Sequence, residues 1–216
     1  MSKTKPRAPK VMIIRHAEKP PEPPKEPPPF GVTHKGTQDK EALIVRGWQR
    51  AGALASFFDP PPNTLFQNPS VATPSFVYAS KIEGEKEGGE TGSEGEKKKV
   101  GSKSRRPQET VTPLVEKLGA GVTADFTFDK GDEKALAAAA LSRGSVVLIC
   151  WEHQDIPEIA KHIPVSPETP VPKGWPVDGK GHARFEVVWV FDLDQTSATY
   201  SFTQIPQRLL AGDSPD

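Results

Sequence analysis

The stretch Lys10-Val-Met-Ile-Ile-Arg-His16 decides how this chain is read. Val11 to Ile14 is a short apolar run, too short for a helix and rich in β-branched residues. It reads as a strand buried on both faces. Arg15 and His16 follow it without a spacer. Ligands of open α/β sheets gather beyond the carboxyl ends of strands, so a guanidinium and an imidazole placed there are candidate site residues.

Outward from that strand, the pattern alternates. Glu41 to Phe58 has helical spacing, and Pro60-Pro61-Pro62 stops it. Phe76 to Ala79 reads as a second strand, and Pro107 opens a helix through Leu118 that Gly119 closes. Ala124 to Phe128 alternates as a short strand, Asp132 to Leu141 is an alanine-rich helix, and Ser145 to Cys150 is another apolar strand. A short helix over Pro157 to His162 follows, then strands over Phe185 to Phe191 and Ala198 to Ile205 around a turn at Asp192 to Ser197. Such alternation predicts an α/β protein: a three-layer α/β/α sandwich with a largely parallel mixed sheet and an antiparallel pair at its end.

Composition sets the limits around this core. The 216 residues carry 28 Lys and Arg against 28 Asp and Glu, a formal charge of zero. That balance excludes a globally basic surface, and the basic run from Lys97 to Arg106 lacks the aromatics that stack on bases, so no nucleic-acid partner is expected. The single Cys150 excludes an intrachain disulfide framework and a cysteine-cluster metal site. No secretory leader or membrane-length apolar run is visible, so a soluble cytoplasmic protein without a membrane partner is the expectation. The 18 glycines and 24 prolines concentrate in Pro20 to Pro29, Ile82 to Ser104 and Pro164 to Pro176. One domain is therefore expected over residues 10–210, with a flexible N-terminus at 1–9, a low-complexity loop at 82–104 and a flexible C-terminus at 211–216.

Three strand ends carry charged or nucleophilic residues. Arg15 and His16 follow the first. Ser80 ends the second, with Ser102, Ser104, Arg105 and Arg106 leading from the loop into a helix. Glu152, His153 and Asp155 follow the strand that ends at Cys150. Two histidines and two arginines converging on one crevice suit a dianion, because the guanidinium fork matches phosphate oxygens and a helix start adds backbone donors.

The run Ile13-Ile14-Arg15-His16-Ala17-Glu18 resembles the Arg-His-Gly signature of the histidine phosphatase superfamily, which includes phosphoglycerate mutase-like enzymes and acid phosphatases; Ala17 stands at the glycine. Ser102-Lys103-Ser104-Arg105-Arg106-Pro107-Gln108-Glu109-Thr110 resembles its second block, with Arg106 as the phosphate arginine, or Arg105 in its place, and Glu109 where many members have glutamine. Gly47 with Gln49, Arg50 and Ala51 matches the intervening helix, and His153 matches the second histidine.

The resemblance implies a phosphoglycerate mutase-like fold and metal-independent hydrolysis of a phosphomonoester without a cofactor. His16 would form a phosphohistidine, while Arg15, Arg106 and His153 bind the phosphoryl group. Thr110 would contact phosphate or hold the helix through its hydroxyl. Glu152 and Asp155 are the leading candidates for the acid that protonates the leaving group, with Glu18 and Asp125 behind them. Lys19 reads as surface, and His34, His162 and His182 read as structural or surface residues. The substrate is expected to be a small-molecule phosphomonoester or a phosphoprotein. Phosphoglycerate mutase-like transfer and non-catalytic phospholigand binding are the alternatives.

Overall fold

The computed structural model describes residues 7–21, 25, 27–64, 68–83 and 103–215. Most of the loop expected at 82–104, including Ser102, lies outside the described residues, as does most of the N-terminal segment expected at 1–9. Both ends of that loop are fixed, because Ile82 and Ser104 are buried.

Strands β1 (Lys10–Arg15), β2 (Phe76–Ala79), β3 (Thr123–Asp125), β4 (Val147–Trp151), β5 (Val187–Asp194) and β6 (Thr199–Pro206) form one six-stranded sheet in the order β3-β2-β4-β1-β5-β6. The first four in that order are parallel. β5 runs antiparallel to β1, and β6 antiparallel to β5. The expected mixed α/β class and terminal antiparallel pair are therefore present.

β1 shows why its run of apolar residues was needed. Val11 and Ile13 join a core completed by α3 (Glu133–Leu141) and α4 (Ile156–Lys161). Met12 and Ile14 face the opposite core, completed by α1 (Val45–Phe58) and α2 (Arg106–Leu118). Successive side chains of a strand point to opposite faces, so a strand between two helical layers needs apolar residues at every position. The result is three layers, helix pair, sheet and helix pair.

Several boundaries shift for local reasons. α1 begins at Val45, not Glu41. The Leu43 amide donates to Glu109 Oε2 at 2.8 Å, the Leu43 carbonyl accepts from Val32, and the Ile44 amide donates to the Glu18 carbonyl, so this backbone is committed elsewhere. β3 ends at Asp125, whose carboxylate takes the Thr127 amide and hydroxyl and turns the chain. β5 begins at Val187 and continues to Asp194, so the expected turn from Asp192 contracts; the Asp194 carboxylate then accepts the Thr196 amide.

Within the segment expected to be flexible at 211–216, Asp213 is half-buried, and its side chain, 3% exposed, pairs with Arg50 of α1 at 2.7 Å. At the other end, Ala8 is buried; its amide donates to Leu141, and its carbonyl accepts from the Tyr200 hydroxyl. Among the described residues, no helix is long and apolar enough to cross a membrane.

Candidate active site at the carboxyl ends of β1, β2 and β4

Sheet register brings the candidate residues to one edge. Arg15 lies opposite Trp151, and Ala79 opposite Cys150, so His16, Ser80 and Glu152 all leave the sheet at the same level. The His16 amide extends the ladder by donating to the Trp151 carbonyl at 3.1 Å. β1 lies between β4 and β5, while its helix α1 carries the chain past β4 to β2. This is the kind of topological switch that opens a crevice above a sheet.

His16 is buried, and its Nδ1 lies 2.8 Å from the Ala17 carbonyl oxygen. A carbonyl only accepts, so Nδ1 carries the proton and Nε2 keeps its lone pair. Burial holds the imidazole well below its ordinary pKa of 6.5; the positive charges of Arg15, Arg106 and Lys19 push it further down, against the raising effect of the Ala17 hydrogen bond. The ring is therefore a neutral base fixed in one tautomer.

Arg15 is also buried. Its guanidinium lies 3.7 Å from the centre of the Phe185 ring and donates through Nη1 to the Ala183 carbonyl. The Phe185 ring is itself 6.1 Å from the His16 ring. Arg15, Lys19, His153 and Phe185 line one open crevice of about 520 Å3. A second cavity, of about 400 Å3, shares His153, Gln154 and Ala183 with it.

Arg106 opens α2. Its Nη2 donates to the Lys40 carbonyl at 2.6 Å and lies 3.5 Å from Glu41. Its Nε is buried without a hydrogen-bond partner among the described residues, as is Ser80 Oγ just beyond β2. Arg105 points elsewhere, to Asp39 at 3.3 Å, and its side chain is 41% exposed. The positive charge of Arg106 is among those that depress the His16 pKa.

Thr110 is fully buried, and its hydroxyl is doubly engaged. It accepts from the Ala17 amide at 2.8 Å and donates to the Arg106 carbonyl at 2.7 Å. It therefore ties the residue after His16 to the start of α2, which is a positioning role. Glu109, buried beside it, is pushed up from its ordinary pKa by desolvation and holds the Leu43 amide.

The carboxylates proposed as acids face other partners. Glu152 forms a close ion pair with Lys130, and Asp155 lies 3.4 Å from the same ammonium. Neither is among the described residues that line the crevice. Burial raises the Asp155 pKa against the lowering effect of Lys130. The Glu18 carboxylate grips Arg50 at 2.8 Å and Arg46 at 3.2 Å, and Asp125 holds the turn after β3.

The sequence reading missed Lys19 and Phe185 as site residues. Lys19 had one available signal, its place three positions after His16 on the strand-end loop. Phe185 had none, since its contact with Arg15 spans most of the chain.

No family profile matches the chain, and no curated protein matches it in sequence. Among solved structures it is similar to the crystal structure of the "putative phosphohistidine phosphatase SixA" from Agrobacterium tumefaciens, with 12% identity and a TM-score of 0.44 over 91% of this chain and 96% of that one. A likeness at that level carries no functional weight, so the functional reading stands on the chain's own residues.

Proposed function

We propose that this protein is a metal-independent phosphomonoester phosphatase that works through a phosphohistidine on His16. One observation carries the reading: a buried imidazole, held neutral with its Nδ1 proton on the Ala17 carbonyl, directly follows Arg15 and lies 6.1 Å from the Phe185 ring, and Arg15 and Phe185 line a crevice with His153. Nε2 attacks phosphorus, and the bond from phosphorus to the leaving oxygen breaks. Water then adds to phosphorus as the P–N bond breaks. This returns the neutral imidazole and leaves the water's protons to phosphate or bulk solvent. Arg15, Arg106 and His153 hold the phosphoryl oxygens while charge moves onto the leaving group. The buried Nε of Arg106 is a donor suited to one of those oxygens.

Substitution His16→Ala is expected to abolish hydrolysis of an aryl phosphate. Mass spectrometry after an alkaline quench should find a phosphoryl adduct on His16 in the parent protein. Turnover that persists in His16→Ala would end this reading.

Lys130 supports a second reading. It holds both acid candidates, Glu152 and Asp155. A protein with the pocket but no available acid would bind phosphorylated ligands without turning them over. Phosphate binding with neither turnover nor adduct would decide for that alternative. If catalysis proceeds without a dedicated acid, a nitrophenyl phosphate should be cleaved at least ~100-fold faster than an alkyl phosphate, the lower end of what general acid catalysis supplies. Equal rates would place an acid in the site.

A further inference from the structure

Lys130 holds the two carboxylates expected to serve as acids, yet the crevice contains another proton carrier. His182 lines it together with Arg15, His153 and Phe185. Its side chain is 66% exposed, so substrate and solvent can both reach it. The fold ties this part of the chain to the nucleophile's neighbour. Arg15, which adjoins His16, donates to the carbonyl of Ala183, the residue after His182, and lies against the Phe185 ring.

The segment that carries His182 is a braced hairpin. Val177 pairs with Ala183, the Asp178 amide donates to the His182 carbonyl at 2.8 Å, and the Arg184 amide donates to the Pro176 carbonyl at 2.9 Å. Gly181, at a φ of 81°, supplies the left-handed residue of the turn. At the base, the Trp175 indole donates to the Arg184 carbonyl at 2.8 Å and packs into the core.

Asp178 orients the imidazole. One carboxylate oxygen accepts the Lys180 and His182 amides, each at 2.8 Å, and the other lies 3.2 Å from His182 Nδ1. These bonds, that of the His182 amide foremost, hold the Asp178 carboxyl below its ordinary pKa of 3.8, so it is an anion. A carboxylate anion only accepts, so Nδ1 carries a proton and Nε2 is the nitrogen that can exchange one. The imidazole, not its carboxylate partner, is among the described residues that line the crevice.

We infer that His182 is the proton carrier of the reaction, a general acid as the leaving group departs and a general base as water arrives, with Asp178 as its positioning residue. This rests on the hydrolytic reading above. In the first step the bond from phosphorus to the leaving oxygen breaks, its electron pair goes to that oxygen, and the oxygen takes the Nε2 proton of the His182 imidazolium. In the second, the water oxygen bonds to phosphorus, the pair of the P–N bond returns to His16, and His182 Nε2 takes one of the water's protons. The ring is then an imidazolium again, and the products are an alcohol and phosphate. Imidazole suits both directions, because its ordinary pKa lies near neutrality, where acid–base catalysis is most efficient.

The test compares kcat/KM for an alkyl phosphate and a nitrophenyl phosphate in the parent protein, His182→Gln and Asp178→Asn. This parameter covers only the steps up to departure of the leaving group, and nitrophenolate leaves without a proton. His182→Gln should therefore slow the alkyl ester at least about 100-fold and the nitrophenyl ester far less. Asp178→Asn keeps an oxygen for the two amides but loses the anion facing Nδ1, so the ratio of rates should move the same way by a smaller factor. In His182→Gln a burst of nitrophenol equal to the enzyme should precede slow turnover, as phosphohistidine accumulates without its base. A ratio that stays at the parent value in His182→Gln would overturn the inference, whether both rates hold or both fall together. Turnover that needs His16 but ignores His182 would overturn this inference alone. Absence of turnover in the parent would overturn the hydrolytic reading and this inference with it.

Discussion

His16 carries its chemistry because several weak effects agree. Burial and the charges of Arg15, Arg106 and Lys19 favour the neutral ring, and the Ala17 carbonyl selects the tautomer. The acid limb of kcat/KM should therefore lie well below pH 6.5. Lys19→Gln removes one of the charges that depress His16, so its acid limb should move to higher pH, as a pH–rate series would show. Stability follows with a defined sign. A histidine whose folded pKa is lowered takes up its proton first in the unfolded chain, so folding weakens as pH falls below about 6.5. Thr110 matters by a different route. Thr110→Val keeps the shape but leaves the Ala17 amide without its acceptor. The expected cost is about 1 to 3 kcal/mol in thermal or denaturant unfolding, and activity should fall as the loop after β1 loses its register.

At the scale of elements, α1 owes its close approach to one missing side chain. A Cβ on Gly47 would lie 2.4 Å from the Glu18 carbonyl oxygen, backbone that cannot swing aside because that oxygen accepts the Ile44 amide. Gly47→Ala should therefore cost about 2 to 3 kcal/mol by overpacking, measurable by urea unfolding, and should displace the strand-end loop. The central elements were readable in the sequence for a physical reason. β1 and β4 are buried on both faces, so their apolar runs are unbroken, and α1 carries a clear apolar stripe. β3 is short and largely exposed, so its pattern was weak and its limits moved. The positions of Arg15, His16 and His153 could be read because each lies at or just beyond the carboxyl end of a strand. Local pattern could not show that Glu152 and Asp155 face Lys130 or that Phe185 underlies Arg15, since both depend on which loops meet in space.

Across the whole molecule, one buried charge network links distant parts of the chain. Arg50 is 1% exposed and bonds Glu18 beside the candidate site, Gln207 after β6, and Asp213 beyond it. Arg50 and the Leu209 and Leu210 amides hold the Asp213 carboxyl down at about 2 despite its burial. Its contribution to stability is present above its ordinary pKa of 3.8 and is lost as pH falls toward 2. Asp213→Asn should lower stability by about 1 to 3 kcal/mol at neutral pH, because the buried Arg50 keeps Glu18 but loses the second of its two carboxylate partners. Thermal unfolding of that variant beside the parent would measure it, and the gap should close in strong acid.

That network also gives the candidate site a birth order. The ribosome makes Arg15 and His16 before Asp213, and Arg50 acquires its last partner only when Asp213 has emerged. A nascent or prematurely terminated chain that stops short of Asp213 would carry the whole proposed catalytic set with its supporting loop unsecured. Competence would then wait on Asp213, far along the chain from the residues it serves.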